Sequence, residues 1–172
     1  MFSLGKDLDV CHGIVPVDLA AGANTGARVH MRNYQSILVV LYKAIATAGT
    51  DNVVVTLQEH TAASSGTSAN LAAIDRFWYK RGASSTLAGT EQWTEVTQTA
   101  AATVTLAGAT YAALEAVVAF SVEAASLSDG YDWMSVNIAD PGSGGTILGG
   151  VLYIPTGLMY PDAPASLANP NT

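Results

Sequence analysis

Three histidines, His12, His30 and His60, and the single cysteine, Cys11, are the residues best suited to hold a metal. Cys11 and His12 are adjacent, which makes it awkward for both to meet one tetrahedral ion, and no Cys-x-x-Cys or His-x-x-x-His spacing supplies further ligands. The expectation is an ordinary packed thiol beside surface histidines, with no metal and no cofactor. The stretch "DPGSGGTILGG", 140–150, could cradle a phosphate only if it followed a strand and opened a helix. It contains no Gly-Lys-Ser/Thr, and the following "TILGGVLYI" is strand-like. It therefore reads as a hairpin connection, with Gly149 and Gly150 marking a bulge or a close approach of another backbone. Carboxylate pairs can hydrolyse sugars, and Asp129 with Asp132, Glu91 with Glu95, and Asp75 are candidates. Any acidic chain offers such pairs, and no base, nucleophile or oxyanion loop accompanies them. A Ser-His-Asp triad would lack the Gly-x-Ser-x-Gly elbow that marks its serine. No catalytic residue is expected.

The aromatic residues carry a second kind of chemistry, contact. In "DGYDWMSVNIAD", 129–140, alternate spacing turns Met134, Val136 and Ile138 to a core and puts Tyr131 and Trp133 on the opposite face. In "DRFWYKR", 75–81, Phe77 and Tyr79 share one side while Arg76, Trp78 and Lys80 share the other. Trp93 stands in "EQWTEV" among polar neighbours. Rings of this size outside a core either complete a thick sandwich, anchor another protein chain, or stack on sugars. The interface candidates are Trp78, Trp93, Tyr131, Trp133 and Tyr160.

The elements that must position these rings are strands. Gly and Pro punctuation cuts the chain into short segments that alternate or run apolar over four to eight residues. The spacing predicts strands at 36–42, 52–59, 74–80, 92–97, 102–107, 115–123, 131–139 and 147–154, joined by Gly/Ser/Asn/Asp/Pro clusters. One helical turn at 111–114 is the most that "TYAALEAVVAF" allows before its Val and Phe residues turn to strand. The expected fold is all-β, a two-sheet antiparallel β-sandwich of jelly-roll type spanning 31–155. Residues 1–30 show no clear period and are expected to form an extended N-terminal arm. Residues 156–172 are expected to form a Pro-rich C-terminal tail that wraps over the domain or a neighbour, kept out of central strands by its prolines.

Composition narrows the function classes. The 172 residues fit one domain, and a single cysteine excludes an internal disulfide. Charged residues make up 12% of the chain, about half the ~25% usual in soluble domains. A surface of Thr, Ala, Gly and Ser docks with little ionic desolvation. A formal charge of −7 argues against a nucleic-acid partner, and the longest apolar run, "ILVVLY" at 37–42, is far too short to span a membrane as a helix. The start "MFSLGKDLDV" lacks the basic and apolar regions of a signal peptide, so synthesis in the cytoplasm without export is expected.

The segments "IDRFWYKRG", "WTEVTQTAAATVTL", "EAVVAFSVEAASLSDGYDWMSVNIADPG" and "LGGVLYIPTGLMYP", in that order, resemble a family of small structural proteins encoded among the head genes of tailed bacteriophages. The likeness runs from about Val39 to Pro161. It implies a capsid decoration, or cement, protein of jelly-roll type on the outside of the virion shell, bridging subunits of the major capsid protein as a homodimer or homotrimer. The family supplies no catalytic residues to carry over. A neck or tail structural protein, or a carbohydrate-binding β-sandwich using Trp78, Trp93 or Trp133, are the alternatives.

Overall fold

The computed structural model describes residues 3–49, 51–142, 145–163 and 169–171. Twelve strands form two antiparallel sheets that pack face to face. They are β1 (Cys11–Asp18), β2 (Asn24–Thr25), β3 (Val29–His30), β4 (Ser36–Lys43), β5 (Val53–His60), β6 (Ser68–Asn70), β7 (Ile74–Arg81), β8 (Thr94–Ala101), β9 (Thr103–Leu106), β10 (Ala116–Glu123), β11 (Trp133–Ile138) and β12 (Leu148–Thr156). The first sheet runs β1-β12-β4-β10-β7-β8. The second runs β2-β11-β5-β6, with β3 also on β11 and β9 also on β5. All eight strands expected from the sequence are present, most with ends shifted by one or two residues.

Alternation explains the core. Ile37, Val39 and Leu41 of β4, Val118, Phe120 and Val122 of β10, and Val151 and Tyr153 of β12 point inward from the first sheet. Val53, Val55 and Leu57 of β5 and Met134, Val136 and Ile138 of β11 meet them from the second. The predicted inward face of β11 is thus the observed one, and Phe77 joins the core with Tyr79 packed at its margin.

Tyr153 ties the two layers. Between β2 and β3 the chain leaves β11 at Gly26–Arg28, so Val136 has no strand partner for its N–H on that side. The Tyr153 hydroxyl, reaching across the core from β12, accepts that N–H at 2.8 Å. Gly13 lies flat against the phenol ring, where a Cβ would stand 2.7 Å from its Cζ. Gly26 lies against the Val136 carbonyl and the phenol oxygen.

Lys43 closes one end of β4. It is buried, and its Nζ donates to the carbonyls of Ala44 at 2.8 Å, Tyr111 at 2.8 Å and Leu114 at 2.9 Å. These last two carbonyls flank the end of a short helix, α1 (Gly108–Tyr111), where a cation complements the orphan acceptors. The helical turn begins three residues before the position expected from propensity, because Asn52 Oδ1 takes the Gly108 N–H at 2.8 Å and fixes its start.

Three local expectations differ from the structure. Residues 11–30, expected in an extended arm, supply β1, β2 and β3. Their missing period has a physical cause: β1 changes register against β12 between His12 and Ile14 and again between Ile14 and Val17, and each bulge resets the alternation. The 140–150 stretch is a crossing between sheets and not a hairpin, since β11 and β12 belong to different layers. Gly149 and Gly150 do mark a close approach, a Cβ on Gly150 falling 2.9 Å from the Ile14 carbonyl oxygen. Finally, β12 runs past its expected end at 154 to Thr156, with Pro155 its penultimate residue, and the Pro155 carbonyl accepts the Asp9 N–H at 2.9 Å. Beyond it the described tail folds back on its own domain. Gly157 donates to Asp7 at 3.2 Å, Asp162 to Gly5 at 2.9 Å, and His30 to Pro170 at 2.8 Å.

Candidate functional site

The outward residues of the first sheet are apolar across its middle rows, where a solvated sheet face would be polar, while Ser36, Ser121, Glu123 and Thr156 stand toward one end. On β12 the apolar residues are Leu148 and Leu152, 57% and 49% exposed, with Ile154 half-buried. On β4 they are Leu38, Val40 and Tyr42, on β10 Val117 and Ala119, and on β7 Trp78. The registers place them in rows. Gly150, Tyr42, Val117 and Lys80 stand side by side across four strands, and Leu152, Val40, Ala119 and Trp78 form the adjacent row.

The two flanks of this face differ in relief. On the β1 flank, Ile14, Pro16, Tyr42, Leu148 and Leu152 enclose a groove of about 450 Å³ whose only charged wall is Glu115. The Tyr42 phenol lies on the same wall as that carboxylate; burial first, then the Glu115 charge, raise its pKa. On the β8 flank stands Trp93, 49% exposed, with Lys80 Nζ 5.0 Å from its ring centroid. Between Trp93 and Trp78 lies a shallower depression of about 410 Å³, floored by Leu38 and Ala119.

The five interface candidates therefore separate. Trp78 and Trp93 come together on the first sheet. Trp133 faces outward on the second sheet and stacks on His30, ring centroids 4.5 Å apart at 26°. Tyr131 is half-buried in the turn before β11, its N–H donating to Ser128 at 3.0 Å. Tyr160 is 76% exposed, on the annex that residues 3–9 and 157–163 build together. The sequence reading missed Tyr42, Leu148 and Leu152. The signal for them was present in "ILVVLY" and "TILGGVLYI": runs apolar at consecutive positions mean strands with both faces covered.

The chemistry-bearing groups take structural roles. Among the described residues no three of His, Cys, Asp or Glu converge as metal ligands. Cys11 packs at the core margin, and burial, reinforced by Asp9, pushes its thiol up to about 12. Glu91 accepts the N–H groups of Ala88 and Gly89, whereas Glu95 pairs with Arg76 at 3.3 Å, so the two acids do not share a site.

A serine-histidine-serine relay does form. His60 Nδ1 lies 2.7 Å from Ser68 Oγ and Nε2 lies 2.8 Å from Ser135 Oγ. His60 and Ser135 are 3% and 1% exposed, whereas Ser68 lies on an exposed strand. Burial and then the Arg28 charge push the His60 pKa down to about 4, against an opposing pull from Glu59. In the unfolded chain the ring titrates near ~6.5. The folded state therefore binds fewer protons between these values, and stability is full above about pH 6.5 and falls as pH drops toward 4. The expected loss is about 3 kcal/mol. Urea unfolding of the wild type and of His60→Asn across this range checks it; equal slopes for the two proteins would remove His60 as the cause.

No protein-family model matches the sequence, and no curated protein matches it. Among solved structures, a chain described under "Bacillus endospore appendages form a novel family of disulfide-linked pili" is similar over 92% of this chain and 96% of its own, at 16% identity and a TM-score of 0.37. A superposition that loose carries no conclusion about function.

Proposed function

We propose that this protein is a non-enzymatic capsid decoration protein, binding the outside of a tailed-phage head and stabilising the shell by bridging its major capsid subunits. The observation that carries the reading beyond the sequence resemblance is the terminal annex. There Leu4, Met159 and Tyr160, 46%, 54% and 76% exposed, stand on backbone that is itself hydrogen-bonded to the sandwich. A presentable apolar patch on a pinned segment loses little entropy on docking. The strand order supports the jelly-roll part of the reading, since consecutive strands keep passing between the layers and β12 returns beside β1.

The mechanism is mechanical. A subunit straddling a seam adds buried area that must be exposed before the seam opens. Repetition over a closed shell multiplies a modest contact through effective concentration. Low charge limits the desolvation cost, and the net charge of −7 keeps the free protein away from DNA.

Purified protein added to empty expanded heads is expected to bind and raise their disruption temperature, and Tyr160→Ser with Met159→Ser to weaken that binding at least ~10-fold. Absence of binding to every maturation state would overturn the reading. Copy number separates it from a neck or tail role, hundreds of copies per particle against about a dozen. A sugar-binding role for Trp78 and Trp93 is favoured only by the depression between them, and titration of tryptophan fluorescence with host polysaccharide decides it.

A further inference from the structure

We infer that the outer face of the first sheet is a self-association surface, on which two copies pack face to face with Trp93 of each seated in the groove of the other. This deepens the assembly reading above by naming a second copy as one partner, and it leaves the terminal annex free for the shell.

The first argument is size. Six strands at ~4.8 Å spacing and eight residues at ~3.3 Å rise give a face of about 600 Å² before side-chain relief. A stable interface needs roughly 800 Å² per partner, so the face is close to a whole interface and not a local blemish.

The second argument is symmetry. A two-fold axis lying in the contact plane, parallel to the strands and over β4 and β10, exchanges left and right across the sheet and keeps each residue's height along the strands. Lys80, Val117, Tyr42 and Gly150 occupy one such height. Lys80 therefore comes over the partner's Gly150, and Trp93, beside Lys80, over the partner's β1, whose Ile14 and Pro16 wall the groove. The contact is isologous and closed, with each knob meeting the other's hole.

The edges of the sheet point the same way. β1 is bulged twice and contains Pro16. At β8 the register against β7 slips between Ile74 and Arg76, where Gln98 Nε2 bridges the carbonyls of Ile74 at 2.9 Å and Thr103 at 3.0 Å. Kinked borders resist strand addition, which leaves the face as the route of association.

Sedimentation of the purified full chain at micromolar concentration tests the inference without any shell present. The expected species has twice the chain mass of 17.7 kDa. Trp93→Ala is expected to raise the dissociation constant ~30-fold or more. Circular dichroism and the monomer's sedimentation confirm that each variant is folded, and Leu152→Asp gives a second break at an exposed position. A monomer at all concentrations overturns the inference, as does a dimer indifferent to Trp93→Ala and Leu152→Asp. A monomer whose Trp93→Ala variant loses shell or polysaccharide binding also overturns it and assigns the face to that ligand. A dimer that binds no shell leaves this inference standing and removes the decoration role.

Discussion

Tyr153→Ala is expected to lower the unfolding free energy by about 4 kcal/mol, the cost of deleting a large buried aromatic. Tyr153→Phe is expected to account for about 1–3 kcal/mol of it. The ring is fully buried between Gly13 and the second sheet, so its removal leaves a cavity that backbone on both sides keeps open. The hydroxyl answers a single N–H, that of Val136, at 2.8 Å. Phenylalanine preserves the packing and leaves the N–H buried without an acceptor, and alanine loses both. Urea midpoints of the three proteins at pH 7 separate the two contributions. If Tyr153→Phe matches the wild type, the hydroxyl is not the tie between layers described here.

Gly26→Ala is expected to cost about 3 kcal/mol, at the upper end of overpacking, and to do so by unseating the segment between β2 and β3. The added methyl would collide with the Val136 carbonyl, a backbone atom of β11, which pairs with β5 along its length, and would stand 3.0 Å from the Tyr153 hydroxyl. The strands cannot yield, so the segment must. The Gly26 N–H bond to Asn137 Oδ1 and the Ala27 N–H bond to the Gly13 carbonyl would be lost with it. Hydrogen exchange should show Ala27 and Val29 losing protection ahead of β4 and β5, and unchanged protection there would contradict this placement.

The interior of the sandwich was legible because burial imposes a period of two. β5 and β11 read directly, and so did the single inward face of "WMSVNI". The N-terminal strands were not, because a bulge moves the next residue to the other face and the sequence then looks aperiodic. The layer change between β11 and β12 was invisible for a different reason: glycine-rich connections look alike whether they turn a chain back or carry it across. For the surface, two of the five expected rings, Trp78 and Trp93, fall on the face that now matters most. The remaining members of that face come from three strands distant in sequence, β4, β10 and β12. Only pairing registers show them to be neighbours.

The bulged outer strands of the first sheet bear on fibre formation. Straight, lightly charged strands rich in Thr and Val template cross-β pairing at any concentrated edge. β8, with the sequence "TEVTQTAA", has that composition but not the straightness, since it is offset and its glutamine is spent on carbonyls that a fibre would otherwise recruit. The slip in register therefore works against amyloid growth from this border.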